Sequence, residues 1–438
     1  MKFYIDTLGC PKNEADSSVL ENLLVQGGNE LVEDAENADA IIVNTCGFIL
    51  DAKQESIDAI VDYAVNTKGK NPSLKVYAWG CLVQRYFDDL VKEIPEVDGW
   101  LGLDTVESIH DNIVSNVNSE RKLLLKKDIP NPIYGKISRK CPKEKYFAHV
   151  KIGDGCDRSC AFCAIPGFKG RHISRKKNDI LEEIEYLVKS GIREIILVDQ
   201  DTTQYSYKDT DLKELLKLIN DINGDFIVRV MYLHPDHIDT DTIDTILECE
   251  KVANYFDIPV QHYSNNVLKN MNRIRTGEEV EKILNYIREK NPYSVLRTTV
   301  MVGFPGETQE DYESLLDFIK RMQFDRLGAF VFSPEEGTPS EKLILPSVPA
   351  DVAEKRHSQI METQEEICEN GMQRFIDKEI KVIIEEMENG CFIARGYIDA
   401  PDIDGVVYLN YKEGVNLGDL VKCKITDSLE YDLEGEIL

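Results

Sequence analysis

The first third of the chain alternates short apolar segments with longer amphipathic segments at a regular interval. Four apolar segments have the length and composition of β-strands: residues 2–6, 40–44, 74–79 and 98–102. The segments between them, such as residues 55–64, have helical periodicity. Strands that alternate with helices indicate a parallel sheet. We therefore predict an α/β fold with an open parallel sheet for residues 1–116.

The same alternation resumes near residue 146. Six further strands are predicted at residues 147–152, 194–198, 226–232, 255–260, 295–302 and 327–332. Helical patterns lie between them at residues 180–188, 212–219, 280–287 and 312–322, and a helix at 350–375 closes the region. This pattern predicts a partial (β/α) barrel over residues 142–371, with functional groups at the carboxyl ends of its strands.

The C-terminal segment, residues 374–438, changes to short alternating strands separated by turn residues such as Asn389-Gly390 and Asp404-Gly405. This pattern is typical of a small antiparallel β-barrel. Residues 117–141, between the first two predicted domains, have no clear periodicity. We interpret them as a solvated linker.

The composition favours a cytoplasmic protein. The longest apolar runs, such as residues 40–43, are far too short to span a bilayer, so no membrane association is expected. The N-terminus begins directly with a strand pattern and carries no secretory signal. The chain has eleven cysteines, an odd number, and nothing indicates export, so reduced thiols are favoured over disulfides.

The charge is strongly acidic, with 51 basic against 79 acidic residues and a net charge of −28. Residues 379–438 alone hold fourteen acidic and five basic residues. Such a surface repels polyphosphates and attracts basic partners. Solubility or adaptation to high salt would also explain the charge. The balance nevertheless weighs against a nucleic-acid substrate.

Three cysteines lie within eight residues at Cys156, Cys160 and Cys163, which we call the core triad. Three closely spaced thiolates hold three irons of a cubic iron–sulfur cluster and leave the fourth iron without a protein ligand. S-adenosylmethionine has the amino and carboxylate groups to fill such a position and to accept an electron there. Zinc is the alternative, but structural zinc usually needs a fourth ligand at similar spacing.

A second set of thiols, which we call the N-terminal triad, consists of Cys10, Cys46 and Cys81. Each follows a predicted strand, and they are 36 and 35 residues apart, about one βα unit. The carboxyl ends of strands in an open parallel sheet share one edge, so these thiols should converge. A second cluster is therefore predicted; three separate buried cysteines are the alternative.

Several motifs resemble those of the radical-SAM methylthiotransferase family over almost the whole chain. They are Leu8-Gly-Cys-Pro-Lys-Asn13, Asn44-Thr-Cys-Gly-Phe48, Gly155-Cys-Asp-Arg-Ser-Cys-Ala-Phe-Cys163 and Thr298-Thr-Val-Met-Val-Gly-Phe-Pro-Gly-Glu-Thr308. The resemblance implies an N-terminal methylthiotransferase domain, a radical-SAM core and a C-terminal TRAM domain. It also implies two 4Fe-4S clusters, held by the N-terminal and core triads, and S-adenosylmethionine as a further cofactor.

Within the family, the chain resembles the branch that modifies a ribosomal protein. Pro11-Lys12 follows the first cysteine, where tRNA-modifying members usually carry Gln-Met, and Ser333-Pro-Glu-Glu-Gly-Thr-Pro339 matches the same branch. This implies methylthiolation of the β carbon of an aspartate in the small-subunit ribosomal protein twelve, free or on the ribosomal subunit. A tRNA adenosine methylthiotransferase and an iron–sulfur scaffold without turnover remain alternatives; the charge makes tRNA the weaker substrate.

The resemblance further implies an electron donor of the flavodoxin or ferredoxin type and a set of contacts to S-adenosylmethionine. The expected cofactor-binding residues are Phe162, Gln200, Asp201, Arg229, Gln261, Val302 and Gly303. Apart from Phe162, which lies inside the core triad, they stand at predicted strand ends, where a purely structural role is about as common. We interpret His262 and the other five cysteines as structural.

Overall fold

The computed structural model describes residues 1–135, 139–141 and 145–438. Parts of the predicted linker (136–138) and the first residues of the predicted core domain (142–144) lie outside the described residues. In the part that the structure describes, no helix combines the length and apolar character needed to cross a membrane.

The N-terminal domain is an open, six-stranded parallel sheet, as predicted, in the order β2-β1-β3-β4-β5-β6. Its elements are β1 (Lys2–Thr7), α1 (Pro11–Gln26), β2 (Glu30–Leu31), β3 (Ala40–Thr45), α2 (Leu50–Val61), α3 (Lys68–Lys70), β4 (Lys75–Gly80), α4 (Cys81–Glu93), β5 (Gly99–Leu101), α5 (Val106–Asn116) and β6 (Leu123–Leu125). Every residue of β3 is buried because helices cover both faces of the sheet.

The two edge strands of this sheet were not predicted. Strand β2 has two residues and β6 has three, too few to show a period in the sequence. Strand β6 lies inside the segment interpreted as a linker and pairs with β5. Part of the connector therefore belongs to the N-terminal sheet.

The core domain contains six long parallel strands in chain order, arranged as two three-stranded sheets that a parallel bridge between Val228 and Val252 joins. This open arc is the predicted partial barrel. Its elements are β7 (Phe147–Lys151), β8 (Gly153–Asp154), α6 (Ile165–Lys169), β9 (Ile173–Ser174), α7 (Lys177–Lys189), β10 (Glu194–Val198), β11 (Ser206–Tyr207), β12 (Thr210–Asp211), α8 (Leu212–Asn220), β13 (Ile227–Val230), α9 (Thr240–Glu248), β14 (Tyr255–Asp257), α10 (Asn265–Asn270), α11 (Gly277–Lys290), β15 (Val295–Val302), α12 (Gln309–Met322), β16 (Arg326–Val331) and α13 (Ala350–Met372).

Capping side chains explain where two of the core helices, α11 and α12, begin. Thr276 and Glu279 form a capping box at α11, in which each side chain bonds the other residue's backbone N–H. Thr308 and Asp311 do the same at α12. These reciprocal bonds satisfy backbone donors that the first helical turn leaves without partners.

The C-terminal domain is a closed five-stranded barrel of β17 (Glu379–Glu388), β18 (Cys391–Gly396), β19 (Val407–Asn410), β20 (Leu420–Ser428) and β21 (Leu433–Ile437), in the order β17-β18-β19-β21-β20. The barrel is confirmed, but β19 and β21 pair in parallel. A closed ring with an odd number of strands cannot be antiparallel throughout, so one parallel pair is required.

The C-terminal barrel packs against the inner face of the core strands through a buried ionic network. Glu194 is fully buried and accepts hydrogen bonds from Arg229 (2.7 Å) and from Arg395 of the barrel. Arg229 also donates to the carbonyl oxygens of Gly396 (3.0 Å) and Asp399 (2.9 Å). Burial raises the pKa of Glu194, but the two guanidinium groups outweigh it and leave the pKa below its usual range.

We expect Glu194→Ala to weaken the contact between the core and the barrel, because it leaves the buried Arg229 guanidinium without its carboxylate and removes one of the two carboxylates that pair with Arg395. The free energy of unfolding should fall by about 3–5 kcal/mol. Equilibrium urea denaturation followed by circular dichroism measures the change. Lys381→Ala is the matched control, since its ion pair with Asp225 is exposed and should contribute less than about 1 kcal/mol. Equal losses in the two variants would contradict the assignment.

Candidate functional site

The N-terminal triad lies at the carboxyl edge of the N-terminal sheet, on three adjacent strands. Cys10 lies between β1 and α1, at the N-cap position of the helix. Cys46 follows β3 directly, and Cys81 is the first residue of α4, directly after β4. Because β1, β3 and β4 are parallel neighbours, their carboxyl ends meet at one edge. The sheet therefore brings together three thiols that are distant in sequence.

Two glycines allow the loops of the N-terminal triad to touch. Gly9 has φ +90°, and a Cβ built on it would lie 2.5 Å from Cβ of Cys46. A Cβ on Gly47 would lie 2.8 Å from the backbone nitrogen of Leu82, next to Cys81. Any larger residue at either position would push the thiol-bearing loops apart.

Burial disfavours the deprotonated form of the thiols in the N-terminal triad. It raises the pKa of Cys81 to about 12, and the nearby Cys10 and Cys46 add to the effect. Burial likewise raises the pKa of Cys46. Three neighbouring thiols, of which Cys46 and Cys81 are buried, suit a positively charged metal centre, since a coordinated thiol loses its proton outright.

The core triad lies in the loop between β8 and α6, beyond the carboxyl end of the first core strand, β7. Burial raises the pKa of Cys163 to about 12, and neighbouring Cys160 and Cys156 raise it further. The sulfur of Cys156 accepts hydrogen bonds from the Arg158 backbone N–H (3.4 Å) and from the Gln204 side chain (3.3 Å). Such donors stabilise a thiolate sulfur.

The number of thiols in each triad suits a cluster with one iron open to another ligand. Structural zinc usually takes four protein ligands, whereas a cubic cluster places each thiolate on a different iron. Both triads supply three thiolates, the ligand chemistry that iron–sulfur clusters use.

The two triads lie on either side of one domain interface. Cys81 and Leu103 of the N-terminal domain pack against Ala164 and Phe168, which follow Cys163 in the core. The Lys12 ammonium crosses the interface and donates to the Asp199 backbone carbonyl at 3.3 Å. The carboxyl edges of the two sheets therefore face each other.

Buried ion pairs hold this interface together. Lys151 of β7 pairs with Asp16 of α1 across the interface at 2.5 Å; within the core, Asp154 pairs with Lys151 at 3.2 Å and with Lys169 at 2.8 Å. Burial raises the pKa of Asp154, but the two lysines outweigh it and hold the pKa well below its usual range. A second contact joins Arg85 to Glu335 at 2.9 Å.

Three of the predicted cofactor-binding residues lie near the core triad in sequence or space. Both polar side-chain atoms of Gln200 are buried and have no hydrogen-bond partner among the described residues, which is uncommon for a buried amide. The Asp201 carboxylate already has partners: it accepts hydrogen bonds from the Arg158 side chain at 2.7 Å and from the Thr203 backbone N–H at 2.9 Å. The ring of Phe162 lies 5.7 Å from the Arg273 guanidinium.

Gln261, Val302 and Gly303 lie at the ends of later strands, as predicted. The backbone N–H of Gln261 donates to Thr299 at 2.8 Å, and the carbonyl of Val302 accepts from Phe332 at 2.8 Å. The Gly303 N–H donates to the carboxylate of Glu307, so this turn is fixed by a side chain.

The structure gives Arg229 a different role from the predicted one. Its guanidinium is fully buried and saturated by Glu194 and by backbone carbonyls of the C-terminal barrel, and Arg229 pairs in register with Ile196, the central residue of β10. The sequence shows Arg229 on a predicted strand, but it does not show that the C-terminal barrel packs against that strand. His262 is buried, and burial lowers its pKa to about 3, so it is neutral at physiological pH.

The N-terminal and core domains face each other across a cavity, and the C-terminal barrel also lines it. It has a volume of about 320 Å³. Gly9 and Pro11 contribute from the N-terminal domain, Tyr232 and Arg297 from the core, and Asp402 from the barrel. The cavity therefore runs from the interior of the partial barrel to the residues that flank Cys10. Charged residues in otherwise apolar strands, such as Arg297, were the available signal.

Three family models match the chain in the order of its domains. Residues 2–102 match the uncharacterized protein family UPF0004, residues 150–319 match the radical SAM superfamily, and residues 376–438 match the TRAM domain.

Among solved structures, the chain resembles the radical S-adenosylmethionine methyltransferase TsrM from Kitasatospora setae with cobalamin and a [4Fe-4S] cluster bound. The TM-score is 0.60 at 14% identity, over 77% of this chain and 76% of that chain. The cobalamin-dependent S-adenosylmethionine radical enzyme OxsB gives a TM-score of 0.52 at 12% identity, over 84% of this chain and 57% of that chain. At these identities the likeness shows a shared fold.

Curated relatives match over full length. The ribosomal protein uS12 methylthiotransferase RimO of Thermosipho africanus is 49% identical over 100% of both chains. The protein of the same name from Fervidobacterium nodosum is 48% identical over 100% of this chain and 99% of that one. The Thermotoga maritima protein of that name is 45% identical over 100% of both chains. With these full-length matches and its three domains, the chain belongs to the RimO family of radical-SAM methylthiotransferases.

Proposed function

We propose that this protein transfers a methylthio group to the β carbon of an aspartate in ribosomal protein uS12, using S-adenosylmethionine and two 4Fe-4S clusters. The observation that carries the proposal is the placement of two cysteine triads on facing sheet edges. The full-length relatives bear the name of the same reaction. Their names give no support to the tRNA-modifying alternative.

We assign one cluster to the N-terminal triad and the other to the core triad. When bound, the cofactors supply one-electron reduction of S-adenosylmethionine and a source of sulfur, which no protein side chain provides. The residues of the chain bury both sites, hold them on one interface and leave a cavity between the domains. An unactivated C–H bond beside a carboxylate needs such chemistry, because no side-chain base is strong enough to remove its proton.

For S-adenosylmethionine we retain Phe162, Gln200, Gln261 and the turn at Val302-Gly303. Gln200 is best supported, since its buried amide has no partner among the described residues. Asp201 acts indirectly, by orienting Arg158 beside Cys156. The domain assignment keeps 1–116, 142–371 and 374–438, with β6 inside the connector at 117–141.

The acidic surface suits a basic ribosomal protein and disfavours tRNA. Residues 379–438 hold fourteen acidic against five basic residues. Charge complementarity of this kind accelerates association with a cationic partner and repels a phosphate backbone. The proposal places the protein in the cytoplasm, with a flavodoxin or ferredoxin as electron donor.

The direct test is anaerobic incubation of reconstituted protein with uS12, S-adenosylmethionine, sulfide and reductant, followed by mass spectrometry of the uS12 digest. We expect a methylthio adduct on one aspartate. A modified tRNA with unmodified uS12 would overturn the proposal. No cleavage of S-adenosylmethionine at all would instead favour an iron–sulfur scaffold.

Single ligand substitutions should separate the two clusters. We expect Cys46→Ala to abolish methylthio transfer while S-adenosylmethionine cleavage continues, because only the N-terminal triad is damaged. Cys160→Ala should abolish both activities. Chromatography of 5′-deoxyadenosine measures cleavage in both variants. Equal loss of cleavage in Cys46→Ala and Cys160→Ala would contradict separate roles.

Gly9→Ala should damage the N-terminal cluster alone, because the added methyl group would collide with Cys46. We expect the reconstituted variant to hold about half the iron of the wild type, about four atoms per chain. Gly28→Ala is the matched control: Gly28 also has a positive φ (+79°), but a Cβ there meets nothing within 4 Å. Equal iron content in the two variants would refute the close-approach argument.

A further inference from the structure

Three lysines in the described part of the chain are buried, and they differ in their partners. Lys151 and Lys169 are ion-paired with the carboxylates of Asp16 and Asp154. Lys12 is 8% exposed and forms no ion pair with any carboxylate of the described residues. A buried charge without a counter-ion is strongly unfavourable, so its retention points to a partner that arrives with a ligand.

The Lys12 ammonium group makes fewer hydrogen bonds than its three donors allow. It donates one long hydrogen bond, 3.3 Å, to the Asp199 backbone carbonyl and lies 4.6 Å from the centre of the Tyr232 ring. The Asp199 carboxylate is engaged elsewhere, 2.8 Å from His172. An ammonium group has three donors, so Lys12 has capacity for an anionic ligand.

Lys12 lies next to the cavity that the three domains line. Gly9 and Pro11, just before it in the chain, line this cavity, and so does Tyr232, whose ring lies 4.6 Å from the Lys12 ammonium. Arg297, a cation that lines the cavity, is already paired with Asp404 at 3.0 Å. Among the described residues, Lys12 is thus a cation beside the cavity that has no carboxylate partner and can bind an incoming one.

A competing role for Lys12 is to balance the negative charge of the N-terminal triad. Lys169 already lies beside this triad, since the neighbouring Phe168 packs against Cys81. The Lys12 side chain instead crosses to Tyr232 and Asp199 of the core. Because the Lys12 ammonium lies against the core domain, a role in binding substrate is favoured over a role in balancing the charge of the N-terminal triad.

We propose that Lys12 binds the side-chain carboxylate of the substrate's target residue and so positions the adjacent carbon between the two cysteine triads. The inference rests on the proposed function and adds a specificity determinant to it. A charged hydrogen bond to a buried ammonium selects a carboxylate over the uncharged amide of the same shape.

The test is the binding of fluorescently labelled uS12 to reconstituted holoprotein, compared with uS12 whose target aspartate is replaced by asparagine. Wild type should bind the aspartate form at least about tenfold more tightly. Lys12→Met should bind both forms equally, because it keeps the length of the side chain but removes the charge. Lys12→Arg should restore part of the preference.

Lys189→Met is the control, since that lysine is 75% exposed on α7 and should leave the preference unchanged. Iron content and S-adenosylmethionine cleavage of Lys12→Met should match the wild type. A tenfold preference for aspartate in Lys12→Met, or a loss of half its iron, would overturn the role of Lys12 alone. Wild type that neither binds nor modifies uS12 would overturn the proposed function and, with it, this inference.

Discussion

The functional arrangement depends on the packing of two sheet edges against each other, carboxyl end to carboxyl end. The buried ion pair of Lys151 in the core with Asp16 of the N-terminal domain crosses this interface, and Lys151 also pairs with Asp154 of the core. Buried pairs of this kind add less stability than their Coulomb energy suggests, because both charges lose water. Their value here is geometric: one ammonium group shared between carboxylates of two domains tolerates little sliding of one domain over the other.

The interface brings the two triads toward each other. Cys81 of the N-terminal triad packs against Ala164 and Phe168, which follow Cys163 of the core triad, and three thiols on each side would hold three of a cluster's four irons. The C-terminal barrel packs against the inner face of the core strands through Glu194, Arg229 and Arg395. All three domains line the cavity beside Cys10.

Much of this architecture could be predicted from the sequence, and the failures have physical causes. The six cysteines could be predicted from their spacing and the longer strands from their apolar runs, because both are local properties of the sequence. Strand β6 was missed because Leu123–Leu125 is too short for a period. The contacts of Arg229, the place of Lys12 and the part of the C-terminal barrel in lining the cavity were not predicted, because they depend on which domain packs against which. Burial without a carboxylate partner among the described residues distinguishes Lys12 from Lys151, and only the folded structure reveals it.

The central claim is that two separate clusters, each held by three cysteines, flank one interface. Iron content and Mössbauer spectra of anaerobically reconstituted protein test it most directly, in wild type and in variants that replace all three cysteines of one triad by alanine. The account predicts about eight irons per chain in wild type and about four in each triple variant. About four irons in wild type, or the loss of all iron in either variant, would contradict it.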